Sequence, residues 1–265
     1  MSKAVLITGA SRGIGLELVR QLLAAGHHTV LATCRCPADA PELAALLHAA
    51  GGAPHAALAL DVTDEDSIAG LPAALAACGA SSVGAVIHNA GVSASTHPLD
   101  PVARTSKAEM MRCFEVNCCG PLLLTQALLP LLLGPAEGGA AVGGAGDAPV
   151  SKVLFVGSDM GCVSATTSDG SAGWTSSASY RCSKAAVHML MRCFDQELSA
   201  AQRAHACFTA VHPGWVQTDM GGAGGRTADI SAARSVEGLL ELLSAMEPES
   251  HGGRLFDYTG EQLAW

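Results

Sequence analysis

A short apolar run, Ala4–Thr8, ends at the turn Thr8-Gly9-Ala10-Ser11-Arg12-Gly13-Ile14-Gly15. The turn opens into a stretch with apolar residues at helical spacing, Ile14, Leu18 and Leu22. Strand, glycine turn and helix in that order constrain the fold more than any other feature of the chain. They are the context of a loop that lays a pyrophosphate against a helix amino terminus. Gly9 permits the tight turn, while Gly13 and Gly15 let the backbone approach the phosphates and the helix pack on a sheet. A plain strand-to-helix turn has the same three parts, so the rest of the chain must decide between the two.

Beyond Leu23 the same alternation repeats. His28–Cys34, Ala56–Leu60, Val83–His88, Lys152–Gly157, Ala206–Val211 and Arg254–Tyr258 read as strands. Gly13–Leu23, Ala40–Ala50, Asp64–Ala77, Thr105–Leu133 and Ile230–Met246 read as helices, the third with an Asp cap and an acidic first turn. Strand alternating with helix implies one α/β domain over 1–265, a doubly wound parallel sheet with helices on both faces. A chain of 265 residues suits such a domain, and 49% hydrophobic with 15% charged residues excludes a disordered one. Gly134–Val150, rich in Gly and Ala, reads as a mobile surface loop.

A net charge of −9 argues against nucleic acid and against an anionic membrane surface as partners. The longest greasy run, Pro121–Leu133, is interrupted by Gln126 and Pro130 and is too short to span a bilayer. The first strand starts at about Ala4, leaving no room for a targeting segment. Ten cysteines without a CxxC pair then read as reduced thiols, mostly buried, in a cytoplasmic protein without structural metal.

The end of the second strand bears on the ligand. Enzymes that bind NAD usually place a carboxylate there for the adenosine ribose. This chain has Thr33-Cys34-Arg35 and no acid before Asp39, and Arg12 lies inside the glycine turn. Two guanidiniums suit a ribose 2′-phosphate by charge and by fork geometry, so the expected cofactor is NADP(H). Arg35 also reads as an ordinary solvated arginine.

Tyr180 and Lys184 in Tyr180-Arg181-Cys182-Ser183-Lys184 lie one turn apart on one helix face. Such a pair arises often by chance. With the glycine turn, His88-Asn89-Ala90-Gly91 and His212-Pro213-Gly214, however, it resembles the short-chain dehydrogenase/reductase family over nearly the whole chain. The long run His212–Met220 and the tail from Phe256 to Trp265 resemble the branch of the Sniffer carbonyl reductase and C-factor. The resemblance implies a Rossmann fold and an oxidoreductase acting on a small carbonyl or alcohol. It gives Tyr180 as the acid, Lys184 as its partner and ribose ligand, Ser158 as donor to the substrate oxygen, and Asn117 as a helix-bending residue holding a water in a proton relay. It further implies cofactor contacts at Gly9, Ser11, Arg12, Gly13, Ile14, Gly15, Arg35, Asp61, Val62, Asn89, Ala90 and Gly91. Pro213, Gly214 and Val216 would meet the carboxamide end and Thr218 the pyrophosphate. A lysine beside the phenol is expected to lower the Tyr180 pKa.

Two features depart from the family pattern. His88 stands where an Asn is usual, and reads as structural. Ser158 precedes Tyr180 by twenty-two residues instead of thirteen, and the segment Ser164–Ser179, rich in Ser, Thr and Gly, reads as an active-site flap. The C-factor resemblance raises a second reading, an NADP-binding signalling or sensor protein with little turnover. Thr105–Leu133 and the helix of Tyr180 are expected to pair two copies into a homodimer.

Overall fold

The structure, a computed structural model, describes residues 3–51, 54–94, 102–133, 150–166 and 177–265. Strand β1 (Lys3–Thr8) turns through the glycines into helix α1 (Gly13–Ala25). Next come strand β2 (His28–Cys34), helix α2 (Pro41–Ala49), strand β3 (Ala56–Ala59), helix α3 (Glu65–Ala77) and strand β4 (Val83–His88). Helix α4 (Lys107–Phe114) passes through a π-helical turn at Glu115–Cys119 into α5 (Gly120–Leu133). The second half contains β5 (Ser151–Val156), α6 (Ala178–Glu197), α7 (Ala200–Arg203), β6 (Ala206–His212), α8 (Ala232–Ala245), α9 (Pro248–His251), β7 (Leu255–Asp257) and β8 (Gln262–Leu263).

The strands form one sheet in the order β3-β2-β1-β4-β5-β6-β7-β8. Each pair from β3 to β7 is parallel. The chain order reverses between β1 and β4, so a crevice opens there beyond the strand carboxyl ends. Near-continuous apolar runs such as Val153–Val156 are buried on both faces, as a covered parallel sheet requires. One core lies under α1, α2 and α8, with Leu18, Leu43 and Leu239 fully enclosed. The other lies under α3, α5 and α6, around Leu71, Leu124, Phe155 and Met191. Asp64 caps α3 as its sequence implies, accepting from the amides of Asp66 and Ser67.

The α/β fold with its mostly parallel sheet is as expected, and the structure refines several details. The sheet is not wholly parallel. Asp257 Oδ1 accepts from the Thr259 amide and hydroxyl and from the Glu261 amide, a tight turn that brings β8 back antiparallel to β7. The helix read over Thr105–Leu133 starts at Lys107 and runs unbroken through a π-turn at Glu115–Cys119 that contains Asn117, and the segment read as helix from Ala40 starts at Pro41 after a separate turn, Pro37–Asp39. The continuous run Lys107–Leu133 is by length and hydropathy able to cross a membrane. In this fold Leu124, Thr125, Leu128 and Leu132 make a buried stripe, and the run packs along the sheet and α3. Finally, cysteines are not mostly buried: Cys36, Cys119, Cys182 and Cys193 are exposed. Cys36 lies in the link after β2, and Cys119, Cys182 and Cys193 lie on outward sides of helical segments, so residue type alone does not mark their exposure. All of the loop assigned to Gly134–Val150 except Val150, which packs on the core, and the middle of the flap assigned to Ser164–Ser179 lie outside the described residues. At the flap's edges, Ser164 is exposed and Ser179 already belongs to α6.

Candidate active site

The crevice begins with the glycine turn. Gly9 has φ +67°, and a Cβ there would stand 2.9 Å from the Ala90 Cα. At Gly15 a Cβ would meet the Gly9 carbonyl oxygen at 2.2 Å. The two motifs that border the crevice are tied together. The Thr8 hydroxyl accepts from the Asn89 and Ala90 amides at 3.0 and 2.9 Å, and Asn89 Nδ2 donates to the carbonyls of Thr8 and Gly9. Ser11 and Ile14 are partly buried, and Ile14 packs on the core. Helix α1 starts with no side-chain cap and no acidic residue in its first turn. Its amide ends and positive dipole therefore face the crevice.

Around this start lie the other expected cofactor residues. Arg35 is exposed at the end of β2, and its charge acts on Asp61. The Asp61 carboxyl is held below its usual range first by the Thr63 amide and only last by Arg35. The Val62 carbonyl rests against Gly120, where a Cβ would stand 2.7 Å away. Arg12 pairs with Asp219 at 3.2 Å, with both side chains largely exposed, so the contact is worth little. Thr218 lies over Gly13, and its hydroxyl accepts from the Gly221 amide. The Pro213 carbonyl takes the Ser235 hydroxyl at 2.6 Å, Gly214 passes against Ile230 and Tyr258, and Val216 bridges to Ile230.

Next to the crevice, α6 presents Tyr180 and Lys184. Lys184 is buried, with Nζ 5.6 Å from the centre of the Tyr180 ring and donating to the Val156 carbonyl at 2.7 Å. Burial lowers its pKa to about 8. The Tyr180 phenol is within hydrogen-bonding reach of Ser158. Burial raises its pKa to about 12, outweighing the Ser158 bond, and the Asp159 charge pushes the same way. The expected depression of the phenol by Lys184 is thus reversed. The ammonium is committed to Val156, and desolvation opposes both charged forms.

Asn117 sits in the π-turn with its side chain fully engaged. Oδ1 accepts from the Val92 amide, while Nδ2 donates to the Val92 carbonyl and to Ser183 Oγ at 2.8 and 2.9 Å. Gly91 is a common neighbour: a Cβ there would stand 3.3 Å from Asn117 Oδ1 and 3.6 Å from Lys184 Nζ. Ser158 leaves β5 buried, at the start of a single turn over Asp159–Gly161. Its Oγ accepts from the Met160 amide and donates to Asp159 Oδ1, both at 3.2 Å.

Residues to which the sequence alone assigns no role complete the surroundings. Asp159 Oδ1 lies 3.5 Å from His212 Nδ1. Ser183 Oγ donates to the Tyr180 carbonyl at 2.7 Å and receives the Asn117 amide. His188, one turn beyond Lys184 and 2% exposed, accepts the Ser158 amide on Nε2 at 3.3 Å. An amide can only donate, so His188 is the neutral ring with its proton on Nδ1. Gly157 makes room for it, since a Cβ there would stand 2.3 Å from His188 Nε2. Trp265 covers the ring at 5.8 Å, and its carbonyl takes the Ser164 amide. The i,i+4 step from Lys184 is the one signal in the sequence for His188, and adjacency to Ser158 the one for Asp159. His88, read as structural, stacks on Phe155 and bonds Thr125 at 2.9 Å. Among the described residues no group of three or more His, Cys, Asp and Glu side chains could hold a metal ion.

This arrangement can be set beside known proteins. The family profile described as short chain dehydrogenase matches residues 3–228. C-signal of Myxococcus xanthus is 37% identical over 184 residues, covering 69% of this chain and 93% of that protein. A short chain dehydrogenase of Penicillium aethiopicum is 30% identical over the full length of both. Among solved structures, the NADPH-bound carbonyl reductase from chicken fatty liver superposes with a TM-score of 0.81 at 31% identity, over 99% of each chain. The carbonyl reductase Sniffer of D. melanogaster gives 0.83 at 24% identity over all of both chains, a likeness of fold. With the profile spanning most of the chain, and the sheet order and site arranged as described, the protein belongs to the short-chain dehydrogenase/reductase family of oxidoreductases.

Proposed function

We propose that this protein is an NADP(H)-dependent carbonyl reductase, equally the alcohol dehydrogenase of the reverse direction, acting on a small molecule. The observation that carries this reading is the convergence of Tyr180, Ser158, Lys184 and Asn117 beside an uncapped helix start. The crevice fits a dinucleotide. Gly9 and Gly15 leave backbone-close space that any side chain would fill, and the first turn of α1 carries no acidic residue. Arg35, exposed with no acid on the same strand end, suits a 2′-phosphate, and the chicken-liver reductase is NADPH bound. Gly9, Ser11, Arg12, Gly13, Ile14 and Gly15 would hold the phosphates together with Thr218. Asp61, Val62, Asn89, Ala90 and Gly91 would border the adenosine side, and Pro213, Gly214 and Val216 the carboxamide.

When bound, the dinucleotide supplies or accepts the hydride. The chain's own residues do the rest. Tyr180 holds the proton that the carbonyl oxygen needs, and its raised pKa keeps that proton in place near neutrality. Lys184, as the ammonium, offsets the phenolate left after transfer. Ser158 donates to the oxygen on which charge develops. Asn117 fixes the surroundings of Lys184 by holding Val92 and Ser183 and by flanking Gly91. A pure sensor would need no acid, so the four groups favour turnover over signalling. All ten cysteines are free, which suits a reducing compartment such as the cytoplasm. Oxidation of NADPH by the purified protein, scanned over aldehydes, ketones and quinones, tests the proposal. Failure on every class, with NADPH bound, overturns it.

A further inference from the structure

Ser158 has a single hydroxyl proton; Asp159 Oδ1 lies 3.2 Å from its oxygen as an acceptor, and the Tyr180 phenol is within reach of the same oxygen. The Met160 amide occupies a lone pair of the same hydroxyl. While it donates to Asp159, Ser158 has no proton to give to a carbonyl oxygen. Asp159 itself is available to an incoming molecule. Its side chain keeps 48% of its exposure, and its Oδ1 is shared only with Ser158 and, at 3.5 Å, with His212 Nδ1. His212 on β6 pairs across the sheet with Asp257 of β7, and burial disfavours its charged form, so no fixed cation answers Asp159 among its described contacts.

Resting on the carbonyl-reductase reading, we infer that Asp159 is a specificity-determining residue that selects carbonyl compounds carrying a hydroxyl on the adjacent carbon and rejects α-oxo acids. A substrate hydroxyl next to the carbonyl reaches the carboxylate while the carbonyl faces Tyr180 and Ser158. It replaces Ser158 as the donor to Asp159 Oδ1, and the freed Ser158 proton turns to the carbonyl oxygen. The exchange is of hydrogen bonds alone, one made to Asp159 for one released. A donor bond to a carboxylate contributes about ten- to a hundredfold in affinity. A substrate carboxylate in the same place meets a like charge, which weakens binding by on the order of a hundredfold.

Four ketones with one reacting carbonyl separate these effects: acetophenone, its α-hydroxy and α-methoxy derivatives, and phenylglyoxylate. The wild type should prefer the hydroxy over the methoxy compound in kcat/KM by tenfold or more, with phenylglyoxylate the poorest. In Asp159→Ala that ratio should fall to within a few fold, phenylglyoxylate should improve at least tenfold, and acetophenone should hold or rise because Ser158 is released. Asp159→Asn, which keeps the shape without the charge, should rescue phenylglyoxylate but retain part of the hydroxy preference. Calorimetric titration of the same ligands into the NADPH-loaded protein gives the order of affinities without turnover. A hydroxy-to-methoxy ratio that is equal in wild type and Asp159→Ala overturns the inference and leaves the reductase reading standing. Binding in the expected, Asp159-dependent order without turnover of any ketone sinks the reductase reading and keeps the recognition by Asp159. Binding of none of the four overturns the inference.

Discussion

Tyr180→Phe removes the one hydroxyl assigned as the acid and touches neither the glycine turn nor α6 packing. Turnover should vanish while NADPH affinity changes by no more than a few fold; near-normal kcat would refute the assignment. Ser158→Ala should lower kcat by about a hundredfold, the size expected when an oxyanion donor is lost, whereas exposed Ser164→Ala should stay within a few fold of wild type. Lys184 supplies a pH signature. Burial brings it to about 8, and the ammonium is the form that offsets the phenolate. In the carbonyl-reducing direction kcat/KM should therefore be level below that value and fall above it. Lys184→Arg, which stays charged, should remove the falling limb in whatever activity remains. An unchanged profile from pH 7 to 10 would show that Lys184's proton is not what matters.

At the scale of elements, the start of α1 is held by a segment eighty residues away. Asn89 Nδ2 grips the Thr8 and Gly9 carbonyls, and Gly15 lies 2.2 Å, by its absent Cβ, from the latter. Gly15→Ala must push the helix off the turn. We expect a folded protein whose NADPH affinity, measured by fluorescence titration, drops at least tenfold; unchanged affinity would mean the turn does not hold the cofactor. The sequence made much of this frame legible. His28–Cys34 and Val83–His88 match β2 and β4 residue for residue, because continuous apolar runs between polar turns mark buried parallel strands. Three kinds of feature stayed hidden. The π-turn at Glu115–Cys119 has no composition signal of its own, and only the family resemblance marks Asn117 within it as a helix-bending residue. Strand β8 is two residues long, too short for alternation to register. Asp159, Ser183 and His188 acquire their meaning from partners on other elements, so no local pattern announces them. The direction of the Tyr180 shift is hidden for the same reason, since charge proximity can be read from spacing but burial only from the fold.

For the whole molecule, the sequence expectation of a homodimer becomes a mass measurement. Met111 on α4 and Met189 on α6 are 57% and 63% exposed. Light scattering at micromolar protein should return twice the chain mass, and a monomer mass would end that expectation. Acid stability concerns the interior instead. His88 and His188 lie in separate parts of the core region, and burial lowers the pKa of each from 6.5 to about 3. Below 6.5 the unfolded chain takes up a proton at both rings, while the folded chain refuses them until about 3. The unfolded state thus binds more protons throughout that window, and stability falls as pH falls. Each histidine costs about 1.4 kcal/mol per pH unit, so the pair costs about 4 kcal/mol between pH 6.5 and 5. That is a large part of the roughly 5–15 kcal/mol that holds a domain together. The thermal midpoint should drop by on the order of 10 °C from pH 7 to pH 5. His88→Asn, which removes one of the two rings and keeps a polar group for Thr125, should roughly halve that slope whatever it does to the midpoint at neutral pH. A midpoint that stays level from pH 7 to 5, or histidine resonances that titrate near 6.5 in the folded protein, would show that these rings are hydrated and that the core around Ser158 is looser than its contacts imply.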